Sequence, residues 1–450
     1  MAQAPAPPVS AGALPSTGLA YANHARSDAD RAPAVIIALS ALVVAALVAG
    51  SVYLVVGGRE KYPKTWDSRV SPIAAWVAKA RDLDFKHPVE VEFLTSGEYT
   101  AASQDRPAPT AESARDMQDT VSQMRALGFV QGDVDLAAAT DTLADSGTLA
   151  YYDPSTKRIA VRGTKLTPML RVTLAHELVH VLQDQHFDLT RLKTLPSSQT
   201  AGLRALAEGD AGRIEDVYAD EVLAPGELAS YNKESAASGE VAQSEIDHEV
   251  PEALSVLFAA PYAFGPSLVA YLERQDGNDA IDAAFKDPPT DEVLFNPQVL
   301  GTPAAKARLV TVEAPGGAEA LDDGQFGSAA WYLLLASRLP PAVALNATDG
   351  LGGDGYVFYR QESKSCVRIN AVGDDEAQTT ELFNALSLWV SMSPGGTASV
   401  SVDGGKIRFQ SCDPGPEAVV PGKVTMSLLV LPVTRTQVFL GIADAGAPEK

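Results

Sequence analysis

The sequence predicts an α+β protein with one membrane-spanning helix near its N-terminus, a mainly helical region after it, and a C-terminal region of mixed helices and strands. Three observations support this prediction. Residues 33–58 contain no charged side chain. Apolar residues recur at helical spacing over much of 111–287, whereas from about residue 302 short segments alternate between apolar and polar residues. We therefore divide the chain into 1–32, 33–57, 58–301 and 302–450.

The apolar run near the N-terminus predicts a membrane anchor. Residues 35–56 are almost continuously apolar, which is long enough to cross a bilayer. A cleaved signal peptide is the alternative, but such signals have shorter apolar runs that begin earlier. The preceding residues 1–32 are rich in Ala and Pro and predict a disordered tail. More Lys and Arg residues follow the span than precede it, which taken alone would keep the large region in the cytoplasm.

The two cysteines favour the opposite orientation. Cys366 and Cys412 lie in neighbouring predicted strands without metal-type spacing, so we expect a disulfide rather than two free thiols. It would close a loop of about 46 residues, worth roughly 4 kcal/mol on the entropic model. Disulfides persist in oxidising compartments. Long domains can cross the membrane whatever charges flank the span. We therefore predict a cell-membrane protein whose tail is inside and whose large region is extracellular.

The net charge excludes one class of partner. The chain has 35 Lys and Arg residues against 57 Asp and Glu residues, a net charge of −22, and residues 1–57 contribute nothing to it. Such an acidic body does not bind nucleic acid nonspecifically and is repelled by anionic lipid. The sequence carries no signal for an oligomeric state.

The remaining pattern predicts the elements in order. Asp-Pro-Ser-Thr at 153–156 is a turn signal that joins two strand-like segments into a hairpin. We expect this hairpin to present an edge to an extended peptide. Helices are predicted from Glu208 to about residue 287. The other predicted helices are 72–83, 111–127 and 375–391, and the predicted strands are 89–94, 149–152, 158–161, 355–360, 366–371, 398–402, 407–411, 425–430 and 434–440.

The most informative motif is His176-Glu-Leu-Val-His180. Thr167 followed by Pro168 predicts the start of a helix that contains it. On a helix, the two histidines share one face and can reach a single zinc ion, and Glu177 lies beside them. There it can take a proton from a zinc-activated water.

A catalytic zinc needs a third protein ligand. Glu208 is the favoured candidate because small residues surround it on a second predicted helix, which would let the two helices approach closely. His186 is an alternative at the spacing used by metzincins. However, Gln183 replaces the glycine of that pattern, and the nearest downstream methionine is Met392. A different ligand also stays open.

Two segments resemble a known family. His176–Leu189 and Ala205–Ala211 are similar to motifs of a family of predicted bacterial and archaeal zinc metallopeptidases, itself similar to the gluzincins. The resemblance extends over roughly residues 85–390. It implies a zincin-like domain in which His176, His180 and Glu208 bind Zn²⁺ and Glu177 is the general base of a metalloendopeptidase-like enzyme.

One departure from thermolysin-like gluzincins concerns the residues that orient the ligands. Those enzymes place an acid four residues after the glutamate ligand, where this chain has Gly212. Asp210 or Glu215 would therefore have to orient a histidine. For the oxyanion donor, the candidates are Tyr262 and His248.

We accordingly expect a membrane-anchored zinc metallopeptidase that acts on peptides or proteins. The alternative is a membrane-anchored zinc-binding or assembly protein with the same fold and no turnover. An intramembrane protease is disfavoured because the histidine helix continues into the polar residues Gln183, Asp184 and Gln185.

Overall fold

The computed structural model describes residues 62–104, 111–146, 148–306, 308–362 and 364–440, so the predicted tail and membrane span lie outside the described residues. The mixture of helices and strands confirms the α+β class. The helices are α1 Ser71–Arg81, α2 Ser96–Gln104, α3 Ala111–Ala126, α4 Leu136–Asp145, α5 Pro168–Phe187, α6 Ser197–Val222, α7 Pro225–Glu249, α8 Glu252–Lys286, α9 Ser328–Ala336, α10 Pro341–Thr348, α11 Glu376–Ser391 and α12 Val430–Phe439. The strands are β1 Glu90–Leu94, β2 Ala150–Asp153, β3 Arg158–Arg162, β4 Arg308–Leu309, β5 Glu319–Gly324, β6 Leu351–Gln361, β7 Lys364–Gly373, β8 Ala398–Asp403 and β9 Lys406–Cys412.

The first sheet contains the predicted hairpin. Strand β3 lies in the middle, parallel to β1 and antiparallel to β2, so β2 is an edge strand. Asp153 closes the turn because its carboxylate accepts hydrogen bonds from the Ser155 amide and from the hydroxyls of Ser155 and Thr156. This is the local role for which Asp is favoured in turns.

The second sheet is built from the C-terminal strands in the order β4-β6-β7-β9-β8, with β5 paired to β6. Strands β7 and β9 are antiparallel, and their register places Cys366 directly opposite Cys412. The two sulfur atoms are 2.03 Å apart, which confirms the predicted disulfide. The disulfide therefore cross-links two strands that are already paired in the sheet.

Replacing both cysteines by serine is expected to lower the free energy of unfolding by about 2–5 kcal/mol. The unfolded chain loses its cross-link, and the buried position of Cys366 receives a hydroxyl. Urea unfolding of the double variant and the wild type measures the difference. Equal midpoints and slopes would show that the cross-link adds nothing to stability.

Two large hydrophobic clusters form the interior. One packs the first sheet against α1 and α5. The other extends from α3 through α8 to the second sheet, and residues on both sides of position 302, such as Phe264 and Trp331, belong to it. Helix α6 contributes to both clusters, with Leu206 in the larger and Ile214 in the smaller. The functional side chains described below lie along α5 and α6.

Helix α8 is the one described helix that is long and apolar enough to cross a membrane, but 78% of its most apolar window is buried inside the molecule. Core helices of globular proteins satisfy the same criteria, so this helix is weak evidence for a membrane location.

The predicted C-terminal strand pair is wrong. Residues 426–429 form a 3-10 helix, and α12 follows directly. Leu429, Val433 and Thr436 are buried at helical spacing, and the Thr436 hydroxyl donates to the Pro432 carbonyl one turn earlier. β-branched residues favoured a strand locally, but burial of one helical face against the core outweighs that preference.

Candidate metal centre

His176 and His180 lie on α5, and Glu208 lies on α6. The predicted capping residues begin α5, because the Thr167 hydroxyl accepts a hydrogen bond from the Leu170 amide at 3.2 Å. The two Nε2 atoms are 3.1 Å apart, and Glu208 Oε2 lies 3.3 Å from one and 3.4 Å from the other. Ligand atoms of the three side chains lie within 4.8 Å of one another, so this group can hold a metal ion.

Glu215 orients His176. Its Oε2 lies 2.9 Å from Nδ1 of the imidazole, and both side chains are almost fully buried. Glu215 follows Glu208 by seven residues, two turns of α6, so both carboxylates lie on the helix face that meets α5. The Tyr231 hydroxyl donates to the other Glu215 oxygen at 3.4 Å. Glu215 therefore lies where the predicted orienting role requires it, against the His176 ring.

Gln183 orients His180. Its amide nitrogen donates to the Ala207 carbonyl at 3.0 Å and to Asp210 at 3.1 Å, which turns its oxygen toward His180 Nδ1 at 2.9 Å. Asp210 is held in turn by the buried Arg81 at 2.8 Å. Asp210 thus acts on a histidine through an intervening amide.

This network fixes the protonation of both rings. Each Nδ1 faces an acceptor oxygen, so each must carry the proton, and in the neutral ring Nε2 then presents a lone pair. Two Nε2 lone pairs and an oxygen of Glu208 consequently point at one small space. Such a donor set can hold a cation, and imidazole ligands whose other nitrogen is hydrogen-bonded are the usual arrangement in metal sites.

The electrostatics of the group also favour a bound positive charge. Burial lowers the pKa of His176, but hydrogen bonds to Glu208 and Glu215 outweigh it and hold that pKa well above its usual value. Burial opposes ionisation of Glu208, yet the neighbouring His180 and His176 hold the pKa of this carboxyl far below its usual range. Glu208 therefore remains an anion, and its charge favours positive charge at the two rings, whether a proton or a metal ion carries it.

Glu177 lies between the histidine helix and the hairpin. Its Oε2 accepts a hydrogen bond from the Tyr152 backbone amide at 2.7 Å, the one hydrogen bond that the described residues give this carboxylate. Burial raises the pKa of Glu177, and the nearby histidines only partly offset it.

The same hydrogen bond shows which edge of β2 faces the site. The Leu149 and Asp153 carbonyls accept hydrogen bonds from the β3 side of the hairpin. Because successive strand residues point to opposite edges, the polar backbone groups of Ala150 and Tyr152 point the other way, toward Glu177. The outer edge of β2 therefore borders the centre, with its Tyr152 amide bonded to Glu177 and three of its four residues buried.

A close crossing of α6 and α8 places Tyr262 beside Glu208. A Cβ on Gly209 would lie 2.3 Å from the Gly265 carbonyl carbon, so the two backbones touch where both residues lack side chains. Tyr262 is buried one turn before Gly265. Burial, followed by the charge of Glu208, raises the pKa of its phenol well above the usual value. Tyr262 lies within hydrogen-bonding range of Glu208, and its role as an oxyanion donor stays a prediction.

The two remaining histidine candidates do not join the group. His186 Nε2 hydrogen-bonds the Asp84 carbonyl at 2.8 Å, and the metal-binding group found among the described residues does not include it. His248 is exposed and hydrogen-bonds the Ser244 carbonyl of its own helix at 2.6 Å. The structure therefore places His186 outside the group, and His248 has no described contact with the centre.

Sequence reasoning missed the roles of Gln183 and of the Tyr152 amide. Gln183 was considered only as the residue that replaces the metzincin glycine and as a polar residue of the helix, although its position three residues after His180 puts it on the same helix face. The Tyr152 amide could not be predicted, because every residue except proline has a backbone N–H and residue type does not mark the one that bonds Glu177.

Comparisons with known proteins identify no relative. No protein-family model matches the chain, and no curated protein or solved structure is similar enough to count as a match.

Proposed function

We propose that this protein is a zinc-dependent peptidase that hydrolyses peptide bonds. The observation that carries the proposal is the convergence of His176, His180 and Glu208, with Glu177 next to them on α5. Two imidazoles and one carboxylate form a donor set that suits zinc and leaves a fourth position for a reacting group. Glu215 and Gln183 hold the imidazoles in the tautomer that such binding needs.

Zinc held by these residues would polarise the substrate carbonyl and lower the pKa of water. Glu177 then takes a proton from the attacking water and passes it to the leaving amine. The Tyr152 amide fixes one oxygen of Glu177, and the other oxygen receives the proton. Tyr262, which lies beside Glu208, would turn its hydroxyl from that carboxylate to donate to an oxygen that gains negative charge during attack.

The outer edge of β2 is the proposed site of substrate binding. An extended peptide can pair with the backbone of an edge strand, and here the outer edge of β2 adjoins Glu177, which already accepts the Tyr152 amide hydrogen bond. Recognition through the backbone would position the scissile bond whatever side chains flank it.

We also propose that the protein is anchored in the cell membrane by residues 33–57 and that its peptidase region is extracellular. The disulfide supports this location because such bonds persist in oxidising compartments.

Metal content and cleavage of a peptide library, measured on the full-length chain, test the proposal. We expect about one zinc per chain and cleavage that a chelator abolishes. Glu208→Gln should lower zinc affinity by at least about 100-fold and remove cleavage, because one of three ligands is lost. Glu240→Gln, an exposed change on α7, serves as the matched control and should retain both properties.

Two results would contradict the proposal. Zinc binding without cleavage of any peptide would favour the alternative, a zinc-binding or assembly protein. Cleavage that survives both chelation and Glu208→Gln would remove the metal from the reaction.

A further inference from the structure

Arg204 is unusual among the arginines of this protein. In the described part of the chain, every other buried or half-buried arginine has a hydrogen-bond partner; examples are Arg81 with Asp210, Arg125 with Asp413 and Arg171 with Glu227. Arg204 is half-buried, and no hydrogen bond or ion pair joins it to a described residue. A guanidinium that is partly removed from water without a partner loses part of its hydration, and no protein hydrogen bond replaces it.

The position of Arg204 ties it to the metal centre. It precedes Glu208 by four residues on α6, so the two side chains lie on one helix face about 5–6 Å apart at Cβ. Burial lowers the pKa of its guanidinium, while the charge of Glu208 acts in the opposite direction, and Tyr262 is also within electrostatic range. The guanidinium is therefore a half-buried cation beside the proposed reaction site, and its nitrogen atoms keep some contact with solvent.

We propose that Arg204 binds the C-terminal carboxylate of the peptide substrate, so that the enzyme removes a short piece from the end of a chain. The inference rests on the proposed peptidase function. A guanidinium offers paired N–H donors in a plane that match the two oxygens of a carboxylate. An extended peptide spans about 3.3–3.6 Å per residue. A carboxylate held one helical turn from Glu208 therefore leaves room for about one to three residues after the cleaved bond.

Two other roles for Arg204 make different predictions. If it only balanced the charge of Glu208, its loss would change metal affinity and would not distinguish between substrates. If it stabilised the developing oxyanion, its loss would reduce cleavage of all peptides equally. An enzyme that cleaves inside long chains, as the family resemblance implies, would also be indifferent to the substrate terminus.

The test compares one peptide in two forms, with a free C-terminal carboxylate and with a C-terminal amide. Binding is measured by calorimetry on the zinc-loaded Glu177→Gln chain, which should bind peptide without cleaving it. We expect the free acid to bind about 10- to 100-fold more tightly than the amide, the range for a charged hydrogen-bonded pair. Adding Arg204→Gln should remove that preference, and Arg204→Lys, which keeps the charge but not the paired donors, should restore part of it.

Cleavage assays on chains that retain Glu177 supply the second readout. We expect products shortened by one to three residues at the C-terminus, and an Arg204→Gln variant that loses activity mainly through KM. Arg408→Gln, an exposed arginine of β9, is the control and should behave as wild type. Thermal unfolding and zinc content of each variant separate a folding defect from a binding defect.

The outcomes distinguish the two proposals. Equal binding of acid and amide by the Glu177→Gln chain, or internal cleavage of amidated peptides at the same rate, overturns the role of Arg204 and leaves the peptidase proposal intact. Absence of cleavage of any peptide, together with a retained preference for the free acid in binding, overturns the peptidase proposal and leaves carboxylate recognition by Arg204 intact.

Discussion

Glu177→Gln is expected to lower kcat for peptide hydrolysis by about 10²- to 10⁴-fold while zinc content stays near one per chain. Glutamine keeps the shape of the side chain, and its carbonyl oxygen can still accept the hydrogen bond from the Tyr152 amide. It cannot accept a proton from water. The fold and the metal centre should therefore survive, and only proton transfer should fail.

The measurement is single-turnover cleavage of a chromogenic peptide alongside metal analysis. Glu292→Gln is the matched control, since Glu292 is also a buried glutamate, 3% exposed, but lies outside the metal-binding group. Its kcat should equal that of the wild type. Undiminished turnover in Glu177→Gln would assign the base to another group.

Gly265→Ala is expected to lower the free energy of unfolding by about 3 kcal/mol or more. The added Cβ would lie 2.1 Å from the Ala205 carbonyl oxygen and 2.7 Å from the Gly209 nitrogen. Both atoms belong to the backbone of α6, so the overlap can be relieved only by moving the helices apart. Overpacking of this kind usually costs about 1–3 kcal/mol, and contacts between backbones offer the least room to adjust.

Chemical denaturation measures the change, and Gly226→Ala provides the control. A Cβ on Gly226 meets nothing within 4 Å, and the residue lies in the first turn of α7. There the substitution should be neutral or stabilise the protein by up to about 1 kcal/mol, because alanine is the better helix former. If Gly265→Ala unfolded at the same denaturant concentration as wild type, the close crossing of α6 and α8 would be wrong.

The sequence predicted those parts of the centre that local periodicity determines. His176, Glu177 and His180 follow from helical spacing, and Thr167 and Pro168 define where that helix begins. Glu208 and Glu215 were identified from small neighbours and from their shared helix face. These residues lie in two contiguous segments, so spacing alone predicts which side chains of each segment share a helix face.

The parts that were missed depend on contacts between distant segments. The hydrogen bond from the Tyr152 amide to Glu177 joins the hairpin to α5, and the bridge from Asp210 through Gln183 to His180 joins α6 to α5. Helix α12 was predicted as a strand because its β-branched residues were judged without the core that buries one face. In each case the deciding interaction is tertiary, and no local pattern encodes it.

Helix α6 supplies side chains to both hydrophobic clusters and also carries Glu208 and Glu215. Loosening either half of the interior would therefore displace a carboxylate of the group that can hold a cation. By mass action, a ligand that binds only the intact arrangement stabilises everything that must be ordered for binding. An ion bound to Glu208 would thus couple the unfolding of the two hydrophobic clusters. Loss of that ion would lower the stability of residues far from any coordinating atom.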